Sequence, residues 1–246
     1  MATPPVHSDI RVEQLNGTDA STAADFYRRI LVPHFRADEM DTEEDFTVSL
    51  AQDKTMALAA RMADGAMAGG AVADFFPRSS VLLLSYIAVL PAGRGSGIGS
   101  ILMNGVTEAG NAHYAPALMV MEVEDPQHHS ADPSLGDPEA RVRFYERLGA
   151  RTLPVPYFQP SLGAGRERVR NLLLMVFGGS GMPSGAGRVD GTVVEAFLTE
   201  FLEHYEGPPR ADDAEAQHML AACRQPGGLP LLVVSELPRP DDGPLG

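Results

Sequence analysis

One cysteine, Cys223, and one lysine, Lys54, are all that this chain of 246 residues holds of either type. A lone cysteine excludes a disulfide framework and a cysteine-based zinc site within the chain. Basic residues are few: 19 Lys and Arg stand against 33 Asp and Glu, for a formal charge of −14 and a pI near 4.8. Phosphate backbones are gripped by clustered lysine and arginine, so this balance argues against a nucleic-acid partner. No apolar run approaches 18 residues, which leaves no segment to span a membrane. The stretch MATPPVHSDIRVEQLNG has no basic start followed by an apolar core, so it does not read as a secretory signal. A cytoplasmic location is therefore expected.

Hydrophobic residues make up 44% of the chain, enough for a sizeable core. The length suits one large domain, or a domain with a smaller appendage. Residues 9 to 16 alternate as a first strand, and Ser21 or Thr22 is the expected cap of a helix that buries Phe26, Ile30 and Leu31 until Pro33. A second helix is expected from about Thr42 to Gln52. Residues 55 to 62 and 66 to 75 read as strands joined by the Asp64-Gly65 turn, a strong hairpin signal. A strand at 81 to 90, a helix at 97 to 110 and a buried strand from Ala117 to Glu124 follow. Beyond a polar, proline-rich loop at 125 to 138, a helix runs from Arg141 to Leu148 and is ended by Gly149.

Strands are expected at 151 to 158 and 169 to 177, then a Gly/Ser-rich linker at 179 to 188. Residues 189 to 246 form a C-terminal extension with helices at 190 to 205 and 212 to 223 and a strand at 229 to 235. Val193, Phe197, Phe201 and His204 or Tyr205 recur at helical spacing and mark a buried face. The last strand suits a sheet edge or a second subunit, so a homodimer is one reading. Strands and helices alternate with hairpins between them. The expected class is therefore α/β of the α+β kind: a mixed, mostly antiparallel, twisted sheet with flanking helices.

The segment VLLLSYIAVLPAGRGSGIGSILMNGVTEAG, Val81 to Gly110, carries the chemistry. An apolar strand ends at Pro91, a loop of Arg94, Gly95, Ser96, Gly97, Ile98 and Gly99 follows, and a helix starts at once. Glycines let successive N–H groups turn toward one point, and a helix N-terminus adds its positive dipole end. Arg94 brings a forked cation suited to phosphate. The loop reads as a pyrophosphate cradle. A Walker A loop needs Gly-Lys-Ser/Thr, and Lys54 is far away. A Rossmann methyltransferase or oxidoreductase needs G-x-G-x-x-G; Gly95 and Gly97 fit, but the third position falls on Ser100.

Arg94 to Gly99 also match R/Q-x-x-G-x-G/A. With Ile87-Ala88-Val89 before the loop, Met121-Glu122-Val123 one strand later, and the run Arg143-Phe144-Tyr145-Glu146-Arg147-Leu148-Gly149-Ala150, the chain resembles the GNAT (Gcn5-related N-acetyltransferase) superfamily. Ala150 stands where that family usually has an aromatic residue. The likeness is densest over 81 to 160, with a compatible element order from 9 to 177. It implies a GNAT-like domain over 1 to 178. It also implies a site for acetyl-coenzyme A as co-substrate, lined by Ile87, Ala88, Val89, Arg94, Gly95, Ser96, Gly97, Ile98, Gly99 and Ser100, and no metal.

The activity implied is acetyl transfer to an amine of a small molecule or peptide. Transfer from a thioester to an amine needs a base, a polarised carbonyl, proximity and a proton for the thiolate. The resemblance assigns the base to Glu122 and the acid to Tyr145, with a backbone N–H of Val89 or Ala88 facing the thioester. The residues support the base independently. Glu122 ends an otherwise apolar strand, where burial raises a carboxyl pKa; Glu124 shares its face and is the other candidate. On α-helical spacing Phe144 and Leu148 share one face, with Tyr145 one residue round.

Tyr157, Phe158, Gln159 and Pro160 resemble the family's acceptor-lining region, or else simply pack. His128 and His129, near Asp125 and Asp132, read as a solvated loop rather than a metal site. The acidic run Glu39, Asp41, Glu43, Glu44 and Asp45 is expected to be a solvated helix face, though it also suits a cationic, ammonium-bearing acceptor. A non-catalytic acyl-coenzyme A sensor and a Rossmann-type enzyme are the competing functions.

Overall fold

The computed structural model describes residues 10–37, 40–93, 95–131, 136–163, 165–184 and 187–237. The chain divides into two compact units, one of residues 1–76 and 82–116, the other of residues 77–81 and 117–246.

The first unit is built on a strand meander. β1 (Arg11–Gln14), β2 (Thr55–Arg61) and β3 (Met67–Phe76) pair antiparallel, and β4 (Val81–Val89) lies beside β3. The Asp64-Gly65 turn forms as its residues predict: Gly65 takes φ +85° and Asp64 Oδ1 accepts the Ala66 N–H at 2.9 Å. α1 (Ala20–Phe26) is capped by Asp19, not by Ser21 or Thr22, and runs on into a wider π turn over Tyr27–Leu31. α2 (Glu43–Ala51) is capped by Thr42, which accepts the Asp45 N–H at 3.1 Å. Phe26, Ile30, Leu31, Phe46 and Leu50 pack with Ala57, Ala59, Val72 and Ala88.

α3 (Ile98–His113) contacts β1, β2 and β3. Successive glycines in β3 permit close helix packing. A Cβ on Gly70 would stand 2.4 Å from the Phe26 ring, and one on Gly69 would stand 3.1 Å from Ile98 and 2.7 Å from the Ala88 carbonyl.

The second unit centres on β7 (Leu172–Gly178), flanked antiparallel by β5 (Leu118–Glu124) and β6 (Arg151–Thr152). α4 (Pro138–Arg147) starts at the Asp137 cap, three residues earlier than expected, with proline in the first turn where its missing N–H costs nothing. The strand expected over 151–158 stops at Thr152, because Pro154 and Pro156 cannot donate to a ladder. Gly181 N–H, in the segment expected to be a linker, donates to Ala117 O at 2.8 Å.

β8 (Arg188–Val189) pairs with β9 (Leu229–Pro230), and α5 (Gly191–Tyr205) and α6 (Ala214–Ala222) lie between them in the chain. The strand expected over 229–235 is thus two residues long. Just past it Leu232 exchanges backbone bonds of 2.8 and 3.0 Å with Thr152, so this segment adds to a sheet edge of its own chain. The buried face of α5 runs through Val194, Phe197, Leu198 and Phe201; Val193 is half-buried and His204 exposed, a shift of one residue from the expected face.

Glu200 of α5 is buried, 8% exposed, and receives the turn before β4. Its carboxylate accepts Arg78 N–H at 3.2 Å, Ser79 N–H at 2.8 Å and the Ser79 hydroxyl at 2.8 Å. The fold class is α/β of the α+β kind, with strands mostly antiparallel and helices flanking them. A doubly wound parallel sheet, which the Rossmann reading requires, is not what these strands form. Among the described residues no helix is long and apolar enough to cross a membrane.

Candidate functional site

The residues singled out by sequence fall into two sets, one in each unit. In the first unit β4 delivers the chain to a single 3₁₀ turn, Pro91–Gly93, and then to the loop that opens α3. Ala88 is buried, while Ile87 and Val89 keep partial exposure. Gly95 and Gly97 take φ +80° and +81°, the left-handed region that other residues enter only at a cost. A Cβ at Gly95 would touch nothing within 4 Å, so backbone conformation and not crowding calls for glycine there.

The Ser96 hydroxyl donates to Gly93 O at 2.6 Å and holds the loop closed. Gly97 is the N-cap of α3, and no side chain caps that helix. The amides of its first turn, Ile98, Gly99 and Ser100, therefore carry the positive dipole end with no side-chain oxygen to neutralise it. This arrangement fits a pyrophosphate. Arg94 lies outside the described residues.

In the second unit Glu122 stands on β5 opposite Leu174 of β7. It is half-buried, and two donors from the segment after β6 converge on its carboxylate. The Tyr157 hydroxyl donates to Oε1, and Gln159 Nε2 donates to Oε2 at 2.8 Å. Burial pushes the Glu122 pKa up to about 7, against a smaller lowering by these two hydrogen bonds. The same burial, with the adjacent carboxylate, raises the Tyr157 hydroxyl well above its usual value, so Tyr157 keeps its proton and donates.

Glu124, two residues on, is engaged elsewhere: Arg141 Nη1 of α4 donates to its Oε2 at 2.9 Å. The structure thus separates the two candidate carboxylates by their partners. Tyr157 and Gln159 were singled out in sequence, but as lining residues rather than as donors to a base. Their pairing with Glu122 across 35 and 37 residues leaves no local signal.

Tyr145 lies on the buried face of α4 with Val142, 6% exposed, while Leu148 is 37% exposed. That differs from the expected face: the helix buries Tyr145 and Val142, leaves Phe144 half-buried and turns Leu148 outward. Burial pushes the Tyr145 hydroxyl up to about 12, with Arg141 pulling it slightly back. Among the described residues that hydroxyl has no hydrogen-bond partner.

Phe158 carries the Arg168 guanidinium 4.4 Å above its ring. The His128 and His129 amides turn back onto Asp125 O, and the His129 ring nitrogen lies 3.1 Å from Asn171 O. Asp132 lies outside the described residues, among which no group of three or more His, Cys, Asp and Glu suits a metal ion. Much of the acidic run is spent on helix structure: Glu43 pairs with Arg28 at 2.6 Å and Asp45 bonds the Thr42 cap at 2.7 Å. Glu39 also lies outside the described residues.

The family profile described as "Acetyltransferase (GNAT) family" matches residues 22–150, more than half of the chain. The chain belongs to this family, whose members transfer an acyl group from acyl-coenzyme A. Among solved structures it is similar to a protein described as a GNAT-family acetyltransferase from Bacteroides thetaiotaomicron. That match has 21% identity and a TM-score of 0.53, over 68% of this chain and 86% of that one. It is also similar to the ribosomal-protein-S18-alanine N-acetyltransferase of Escherichia coli, with 19% identity, TM-score 0.44, and coverage of 71% and 99%. A dodecameric spermidine N-acetyltransferase from Vibrio cholerae matches at 13% identity, TM-score 0.46, and coverage of 69% and 93%. The first of these likenesses speaks to fold alone. No curated protein matches the chain in sequence.

Proposed function

We propose that the protein is a cytoplasmic, acetyl-coenzyme A-dependent N-acetyltransferase that acetylates an amine of a small molecule or peptide by direct attack. The observation that carries this is Glu122: a half-buried carboxyl, held by two donors, whose pKa of about 7 suits a base working near neutrality. In this reading residues 1–178 are the acyltransferase domain. The loop amides, with Arg94, bind the pyrophosphate, Ile87 to Val89 align the pantetheine, and an N–H of Val89 or Ala88 polarises the thioester carbonyl. Glu122 takes a proton from the acceptor ammonium. The freed amine forms the new C–N bond, and the C–S bond breaks.

The departing thiolate takes a proton from Tyr145, which burial keeps protonated at neutral pH, and the tyrosinate regains one from the acceptor nitrogen as that nitrogen sheds its second proton to become the amide. Cys223 is buried, with its thiol pushed up to about 12, and it makes no nucleophile for a covalent route.

The test measures thiol release from acetyl-coenzyme A with a panel of polyamine, aminoglycoside and peptide amines. For an accepted amine, Glu122→Gln should lower kcat/KM by roughly 10²–10³-fold and abolish the acid limb near pH 7. An unchanged limb removes Glu122 as base. Tight binding of coenzyme A with no turnover of any amine supports a sensor instead.

A further inference from the structure

Tyr157 and Gln159 sit on an irregular segment broken by Pro154, Pro156 and Pro160. Its fastenings converge on one residue, Arg168. Gln159 exchanges backbone bonds of 2.9 and 3.0 Å with Val169, the neighbour of Arg168. The Arg168 guanidinium covers the Phe158 ring at 4.4 Å. Glu206, at the end of α5, accepts Ser161 N–H at 2.8 Å and Arg168 Nη2 at 2.5 Å, tying the C-terminal end of the segment and Arg168 to one carboxylate.

Arg168 also reaches Asp213, the cap of α6, at 2.5 Å and Glu215 in its first turn at 3.2 Å. Its side chain is only 16% exposed, and three carboxylates around a forked cation fix its orientation. These partners all lie beyond the family match at 22–150.

We propose that Arg168 is a positioning residue for Glu122: it fastens the Tyr157–Gln159 segment to α5 and α6, so that the C-terminal helices hold both donors on the carboxylate. Its catalytic consequence rests on Glu122 being the base; its structural content does not. The groups around Glu122 leave few other routes. Tyr157 and Gln159 face it directly, Glu124 on its own strand is paired with Arg141, and Tyr205 of α5 acts on Tyr157.

The experiment labels glutamate with ¹³C in the side-chain carboxyl of the full chain and assigns Glu122 by its loss in Glu122→Gln. The resonance is titrated through neutrality beside the pH dependence of acetyl transfer. Donors to a carboxylate favour its charged form, so Arg168→Met should raise the Glu122 midpoint by about half a pH unit or more. Arg168→Lys, which keeps the charge but not the fork, should restore part of it. Glu206→Gln loosens the clamp from its far side, moves the midpoint the same way, and serves if Arg168→Met does not fold.

Added to Tyr157→Phe/Gln159→Leu, Arg168→Met should give no further rise. A midpoint that stays put, or that falls as water reaches a loosened Glu122, in Arg168→Met and Glu206→Gln overturns the proposal, as does a further rise where both donors are already gone. If the resonance moves but the rate limb does not, the clamp stands and the base reading fails. If resonance and limb move together in Tyr157→Phe/Gln159→Leu but neither moves in Arg168→Met or Glu206→Gln, the clamp fails and the base stands.

Discussion

Glu122 is a carboxyl that its surroundings hold against ionisation, and that leaves a mark on stability as well as on rate. Folded, it keeps its proton up to about pH 7; an ordinary glutamate releases it near 4.5. Between those values the native state binds more protons than the unfolded state, so stability is lost as pH rises through that window. Glutamine cannot ionise. Glu122→Gln should therefore gain about 2–3 kcal/mol on the wild type between about pH 5 and about pH 8. Denaturant unfolding at the two pH values checks this, and an equal difference at both contradicts it.

At this scale the sequence disclosed the carboxyl but not its environment. The apolar run from Leu118 to Met121 announces burial for whatever follows it. Nothing local announces that a tyrosine and a glutamine from 35 and 37 residues on will close over it. Arg168 carried no signal either, because its acidic partners lie 38 to 47 residues downstream. The face of α4 misled for a different reason. Phe144 and Leu148 have the right spacing for a core stripe, but Val142 and Tyr145 have it as well, and packing chose the second pair.

Among the elements, the strand–loop–helix of the first unit was the most readable, because glycine at left-handed positions and an uncapped helix start are local properties. Gly95→Ala tests the loop as a unit. The new methyl meets open space, so its effect is the strain of holding alanine at φ +80°, about 1–2 kcal/mol. A loop that relaxes that strain misaims its amides. The KM for acetyl-coenzyme A should rise roughly tenfold while the acid limb stays at about pH 7. A shifted limb with an unchanged KM would count against the loop as the cofactor cradle.

Elements set by distant partners were read poorly. The strands expected at 151–158 and 229–235 shrink to Arg151–Thr152 and Leu229–Pro230: Pro154 and Pro156 end the first, while the second leaves its partner, bridges to Thr152 at Leu232 and enters a 3₁₀ turn at Val234–Glu236. The π turn over Tyr27–Leu31 leaves no trace in the spacing of Phe26, Ile30 and Leu31, which are buried all the same.

For the whole molecule, ligand binding and stability are linked. Saturation with acetyl-coenzyme A at about one hundred times its Kd should add about 2.7 kcal/mol to unfolding, which for a chain of this size raises Tm by roughly 5–10 °C. S-adenosylmethionine and NAD should leave Tm unchanged; a rise with either one alone would reopen the methyltransferase or oxidoreductase reading. The family match ends at residue 150, yet the partners of Glu122 begin at Tyr157 and their clamp extends to Glu215.

Residues 77–81 belong to the second unit, although the chain on both sides of them, up to Phe76 and on from Leu82, belongs to the first. Their turn is satisfied by Glu200, a carboxylate encoded roughly 120 residues later. During synthesis at about 5–20 residues per second the turn must wait roughly 6–24 s for that partner to emerge. Until then the Ser79 amide and hydroxyl lack the Glu200 carboxylate. The first unit has all its own residues by 116, but the turn that links its two stretches matures only with the second unit, so a nascent chain stalled short of Glu200 carries that turn without its carboxylate.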